Sequence, residues 1–176
     1  MSATYALLGI LGKEPSYGYD LKKTYDTLFG KEKPLAFGQV YATLSRLLRD
    51  EKITTEATEQ ESGPERKKYA ITNLGRKDLQ TWLISPEKLH PNTQTVLFTK
   101  VVTAILVDED PDIFLDAQRA THIARMRELT IQRRTGDLAQ TLQADYALFH
   151  LEADLRWIDI TVARLETLKK EVQGAI

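Results

Sequence analysis

The chain has 176 residues, 24 Lys/Arg against 25 Asp/Glu, a formal net charge of −1 and a hydrophobic fraction of 42%. That length fits one compact domain or a small domain with a helical extension, and without a run of about 18 apolar residues a membrane span is not expected. It contains no cysteine, which excludes disulfides, thiol catalysis and Cys-ligated zinc, and fits a reducing, cytoplasmic setting.

The N-terminal "MSATYALLGILGKEP" has an apolar centre but no basic flank, so it reads as a first helix and not as a signal peptide. Leu7, Leu8, Ile10 and Leu11 are its core residues and Gly12 is a plausible C-cap. "PSYGYDLKKTYDTLFG" begins a second helix with Leu21, Tyr25 and Leu28 on one face and Gly30 as its stop. In "AFGQVYATLSRLLRD", Val40, Leu44, Leu47 and Leu48 recur at the helical period, so a third amphipathic helix is expected. The pattern then changes. "KITTEATEQ" is rich in β-branched residues with near-alternation, Gly63–Pro64 marks a turn, and "RKKYAIT" returns as a second strand. Thr72 or Asn73 caps a fourth helix, "LGRKDLQTWLI". The proline-flanked "SPEKLHPN" at 85–92 is the best boundary, dividing the chain into 1–85 and 86–176.

Beyond it the expectation is all helix. "TQTVLFTKVVTAILV" is apolar nearly all round and should be buried on several faces. Asp110 and Pro111 are an N-cap and first-turn pair opening a long helix that Gly136–Asp137 breaks. In the last helix Leu148, Leu151, Leu155, Ile158, Val162 and Leu165 alternate spacings of three and four, a coiled-coil seam. A second stripe holds Phe149, Ala153, Trp157, Ile160 and Leu168. Two stripes need two partners, one of which can lie inside the chain and the other in a second copy.

Helix, helix, helix, strand, turn, strand, helix is the order of a winged helix, whose third helix enters the major groove of DNA. The fold class expected is therefore mainly α with a small β-hairpin: an N-terminal winged helix-turn-helix and a C-terminal, coiled-coil-like helical region. "ALLGIL" (6–11), "SYGYDLKK" (16–23), "FGQVYATLSRLLRDEKI" (37–53), "GPERKKYAIT" (63–72) with Gly75, and "WL" (82–83) stand in the order and spacing of the PadR family of bacterial transcriptional regulators, which the chain resembles. "LFTKVVTAIL" (97–106) is similar to the first helix of that family's C-terminal half. The resemblance implies a homodimer that binds double-stranded operator DNA, usually as a repressor, and can hold a small aromatic or drug-like effector. Two departures stand out. Ala36–Phe37 replaces the Ser–Pro that often precedes the glycine of the third helix, leaving no side-chain N-cap. Glu51 stands where a glycine often follows Asp50.

On the third helix Gln39 and Arg46 lie within about 20° on the helical wheel, with Thr43 close by. Glutamine can pair with adenine, arginine with guanine, and threonine can touch a thymine methyl. Arg49 is a phosphate candidate. Tyr41 either offers its hydroxyl to phosphate or packs at the core edge. Tyr19 and Lys22 on the second helix are further phosphate candidates, as are Arg66 and Lys68 on the wing, whose Glu59, Glu61 and Glu65 weaken its pull. The coiled-coil seam Leu148, Leu151, Leu155, Ile158, Val162 and Leu165 is the expected dimer interface. Phe98, Tyr146, Phe149 and Trp157 are candidate effector contacts, with core or interface packing as the alternative. His90, His122 and His150 lack metal spacing, no cofactor is indicated, and no nucleophile elbow or phosphate loop appears, so an enzyme is not expected. The competing function is a winged helix serving as a protein-interaction or dimer scaffold without operator binding.

Overall fold

The computed structural model describes residues 2–29, 34–56, 67–87 and 93–174. The N-terminal half runs α1 (Ser2–Lys13), β1 (Ser16–Tyr17), α2 (Gly18–Leu28), α3 (Phe37–Arg49), β2 (Ile53–Glu56), β3 (Lys68–Ile71) and α4 (Asn73–Ile84). This is the winged-helix order. The C-terminal half is α5 (Thr93–Leu106), α6 (Pro111–Thr135), α7 (Leu138–Val162) and α8 (Leu165–Gly174).

The strands form one antiparallel sheet in the order β1-β3-β2. Ile53 pairs with Ile71 and Glu56 with Lys68, while Tyr17 of β1 faces Lys68 from the other side. β1 is an addition to the expected hairpin: two residues are too few to show a period. The wing tip, with Gly63–Pro64 and Arg66, lies outside the described residues.

Val40, Leu44 and Leu47 of α3 are fully buried, each contributing about 1.5–3 kcal/mol relative to exposure. They join Leu7, Leu8, Leu11 and Leu21 in a core that continues without interruption into Leu97, Val101, Val102 and Ile105 of α5. The apolar core therefore passes across the proline-flanked segment at residue 85. Gly9 lets α1 lie directly on α5, since a Cβ there would sit 2.5 Å from Thr103 Cγ2. Gly12 is within α1 and does not cap it.

Side chains cap the starts of three helices. Thr72 accepts a hydrogen bond from Gly75 N at 3.1 Å and caps α4. Asp110 accepts from Asp112 N ahead of Pro111. Asp137 and Gln140 cap α7 reciprocally. Glu51 adopts a left-handed backbone, φ 55°. That conformation costs a non-glycine residue roughly 1–2 kcal/mol and accounts for a glycine being the commoner choice there.

The C-terminal half corrects the expected last helix. It is two elements, α7 and α8, broken at Ala163–Arg164. Most of the expected dimer seam is packed within the chain. Leu148, Leu151, Ile158 and Leu165 are buried inside the single chain and Leu155 is half-buried. Leu148 and Leu151 pack with Leu129 of α6, and Ile158 and Leu165 belong to the main core. Only Val162 of that set is exposed. α6 and α7 form an antiparallel hairpin that covers Leu148 and Leu151 from within, and of the second stripe Phe149, Ala153 and Ile160 face solvent while Trp157 and Leu168 are half-buried against the main core. No helix among the described residues is long and apolar enough to cross a membrane.

Candidate nucleic-acid interface and its link to the C-terminal helices

α3 presents an exposed polar face opposite its buried stripe. Gln39, Arg46 and Arg49 are exposed and Thr43 is half-buried. The missing N-cap is made good from the third position of the helix: Gln39 Oε1 accepts from Ala36 N at 3.0 Å. This is half of a capping box, with the glutamine reaching back. It also occupies the carbonyl that a bidentate adenine contact would leave to the base. Thr43 Oγ1 donates to Gln39 O at 2.8 Å, so its methyl is the part free to meet a base. Arg46 makes no ion pair among the described residues. Arg49 pairs with Asp50 at 3.2 Å, both exposed. Salt screens such a pair and a phosphate can replace it.

α2 crosses beside the start of α3. Lys22 is held by Asp26 and lies 5.0 Å from the ring centroid of Phe37. Asp26 also accepts from Leu35 N at 3.1 Å, so it ties the approach to α3 onto α2. Lys22 is therefore a braced cation and not a free one. Tyr19 is exposed and stacks on Phe37. Tyr41 packs over Gly18, where a Cβ would sit 2.8 Å from Tyr41 Cε1, and its other edge stays open. On β3, Lys68 is half-buried between Tyr17 and Glu56. Phe37, the aromatic that stands at the first turn of α3, joins this surface through its stack with Tyr19.

The four aromatic residues expected to hold an effector separate into two sites. Phe98 and Trp157 line one groove of about 530 Å³ with Val101, Ile160, Arg164 and Leu168. Tyr146 and Phe149 stand apart on the outer face of α7, 69% and 66% exposed.

Between α4 and α5, residues 85–87 are clamped by groups that no periodicity reveals. Lys100 of α5 is fully buried. Its ammonium donates to Ser85 O, pairs with Glu87 at 2.8 Å, and lies 5.0 and 4.7 Å from the ring centroids of Trp82 and Phe114. Burial lowers its pKa and Glu87 opposes that. Gln118 of α6 holds the backbone of Glu87 with both ends of its amide: Oε1 accepts from Glu87 N at 2.6 Å and Nε2 donates to Glu87 O at 2.9 Å. The same Nε2 faces His122 Nδ1 at 3.2 Å, and His122 Nε2 faces Asp154 of α7 at 3.2 Å. The consistent tautomer carries its proton on Nε2, donating to Asp154.

Burial lowers the His122 pKa below its ordinary 6.5, with Asp154 opposing. The unfolded chain therefore binds more protons as pH falls through that value, and folding stability falls with it. Stability is fully retained above about 6.5 and declines until the folded state also protonates. A thermal-melt series from neutral to mildly acidic pH should show this slope, and His122→Gln should remove it. An unchanged slope in that variant would place the titration elsewhere.

Residues 7–81 match the transcriptional regulator PadR-like family. The N-terminal half carries a PadR-like domain. The chain is similar to the negative transcriptional regulator PadR of Bacillus subtilis (strain 168), 28% identical over 114 residues, 64% of this chain and 63% of that protein. It is similar to the probable transcriptional regulator Rv1176c of Mycobacterium tuberculosis, 29% identical over 86 residues, 49% of this chain and 46% of that protein. The matched stretches thus span less than two thirds of either relative. Bacillus subtilis PadR in its crystal structure with operator DNA aligns at 22% identity and a TM-score of 0.47, covering 92% of this chain and 98% of that one.

Proposed function

We propose that the protein is a cytoplasmic, homodimeric DNA-binding repressor. Residues 1–85 bind operator DNA, and residues 86–176 form the dimer and accept a small aromatic effector. The observation that carries this reading is α3: a helix anchored by three buried aliphatic residues that turns Arg46 and Arg49 outward beside a wing. That is the arrangement with which a recognition helix meets base edges. The PadR-like domain and the repressor role in the name of the B. subtilis relative support it. Two such helices enter successive major grooves about one turn apart, and phosphate contacts make the affinity fall with salt. Nothing in this reading needs a catalytic step.

The test is a mobility-shift titration on the chain's own upstream DNA at low salt. Wild type should shift it, and Arg46→Ala should cost about 1–3 kcal/mol of binding and relax one base position. No shift by the wild type would sink the reading.

Exposure supports a dimer face on α7. Leu138, Leu142, Tyr146, Phe149 and Ile160 are all exposed on one face of α7, and a contiguous apolar face rimmed by polar residues is the kind of surface that marks a protein interface. Leu142→Asp with Phe149→Asp should give a folded monomer by sedimentation. Leu155→Asp with Ile158→Asp, on the face turned into the chain, should unfold it instead. The reverse result would restore the inner seam as the interface. The groove of Phe98, Trp157 and Arg164 lies beside Ile160 of that stripe. An aromatic ligand there acts on DNA binding only if it favours one arrangement of the dimer over the other.

A further inference from the structure

Phe37 is the first residue of α3 and is 44% exposed. Tyr19, 62% exposed, stacks against it with ring centroids 5.8 Å apart and planes 18° apart. Lys22, braced by Asp26, sits 5.0 Å from the Phe37 centroid. These side chains, with Lys23 and Thr27, border a shallow depression of about 460 Å³ at the junction of α2 and α3. The pair is thus held in place from below and open above.

In the docking geometry of this motif the N-terminal residues of the recognition helix meet base edges. A phenyl ring carries no donor or acceptor. Against a guanine, cytosine or adenine edge it would displace water from polar atoms and return nothing, which is costly. Thymine alone shows an apolar group in the major groove, its C5-methyl. Gln39, two residues on and on another side of the helix, has its carbonyl held by Ala36 N, so the first turn of α3 is poorly equipped for bidentate hydrogen-bond reading, while Phe37 equips it for apolar contact.

We infer that Phe37, supported by Tyr19, is a specificity residue that selects a thymine in each half-site by packing on its C5-methyl. This rests on the DNA-binding reading above. Lys22 has the role of a brace, holding the Phe37 ring by its cation while Asp26 fixes the cation.

The experiment uses the full chain. Duplexes are enriched from a random-sequence library, and the enriched site is resynthesised with each thymine replaced in turn by deoxyuridine, which removes the methyl and leaves the pairing edge unchanged. Wild type should lose about four-fold in affinity at one thymine per half-site, the worth of one buried methyl-sized group. Phe37→Ala should bind the thymine duplex more weakly and show a thymine-to-uracil ratio near one at that position. Phe37→Leu should restore part of the ratio, and Tyr19→Ala should reduce it. An enriched site with no thymine in the half-site, no sensitive position in the wild type, or a ratio unchanged in Phe37→Ala would each overturn the inference while leaving DNA binding intact. No enriched duplex at low salt would overturn the DNA-binding reading and this inference with it. The uracil scan of the wild type stands even if a variant folds poorly.

Discussion

Glu87→Leu should destabilise the folded chain by about 3–5 kcal/mol, because it strands a buried charge. Lys100 is fully buried and Glu87 is its carboxylate partner at 2.8 Å. Ser85 O and the faces of Trp82 and Phe114 would remain around the ammonium, but none of them carries a compensating charge. Replacing both members with apolar residues removes the charge along with its partner and is commonly near neutral. The double variant Lys100→Met/Glu87→Leu should therefore recover most of the loss, which urea unfolding can measure. A pH series provides a second check. The folded pKa of Lys100 lies below its ordinary 10.5, so the unfolded state binds more protons between the two values and stability rises with pH across that window. Glu87→Leu removes the influence that raises this pKa, so the window widens downward. Its deficit should shrink as pH is raised from about 7 to about 9. A constant deficit, or a double variant as unstable as the single, would mean that Glu87 acts by packing and not by charge.

The same residues show where the sequence was and was not informative. The stripe Val40, Leu44 and Leu47, the Asp110–Pro111 cap and the Gly136–Asp137 break are written in local periods and local chemistry. A reader of the chain can place them without knowing what they touch. A coiled-coil spacing states that a seam is buried but not what covers it, and at Leu148 and Leu151 the cover is α6 of the same chain. Ala163 and Arg164 are good helix formers, so the break between α7 and α8 has no local signal. Lys100 sits in an apolar helix where a lysine ordinarily extends to water, and Glu87 comes from a proline-flanked segment. Gln118, His122 and Asp154 meet only because the linker, α6 and α7 pack together. At the candidate interface the polar face of α3 was legible from its period. The engagement of Gln39 by its own helix start and the Phe37–Tyr19 pair needed the packing of α2 on α3.

Gly75→Ala should be the most damaging single methyl added to the winged helix, with a cost of about 3 kcal/mol. A Cβ at Gly75 would lie 2.1 Å from Lys52 O and 2.8 Å from Ile71 Cγ1. The nearer contact is backbone, and it cannot swing aside. Lys52 O accepts from Thr72 N at 3.0 Å, Lys52 N donates to Leu47 O at 2.9 Å, and the Lys52 ammonium pairs with Asp78 at 2.7 Å. Thr72 Oγ1 further donates to Glu51 O at 2.8 Å, and Glu51 already has a left-handed backbone. The turn at 51–52 is thus where the end of α3, the wing and the start of α4 are joined, and a methyl at Gly75 pries all three apart. In a chain of this size the loss should lower the melting temperature by roughly 2–4 °C per kcal/mol. DNA affinity should fall even below the melting transition, because α3 and the wing lose their mutual placement. Gly38→Ala provides the control. Nothing lies within 4 Å of a Cβ there, and replacing a helical glycine by alanine stabilises by roughly 0.5–1 kcal/mol. Equal melting temperatures for Gly75→Ala and wild type would mean that the 51–52 turn yields freely, and the wing would then be less firmly joined to α3 than these hydrogen bonds require.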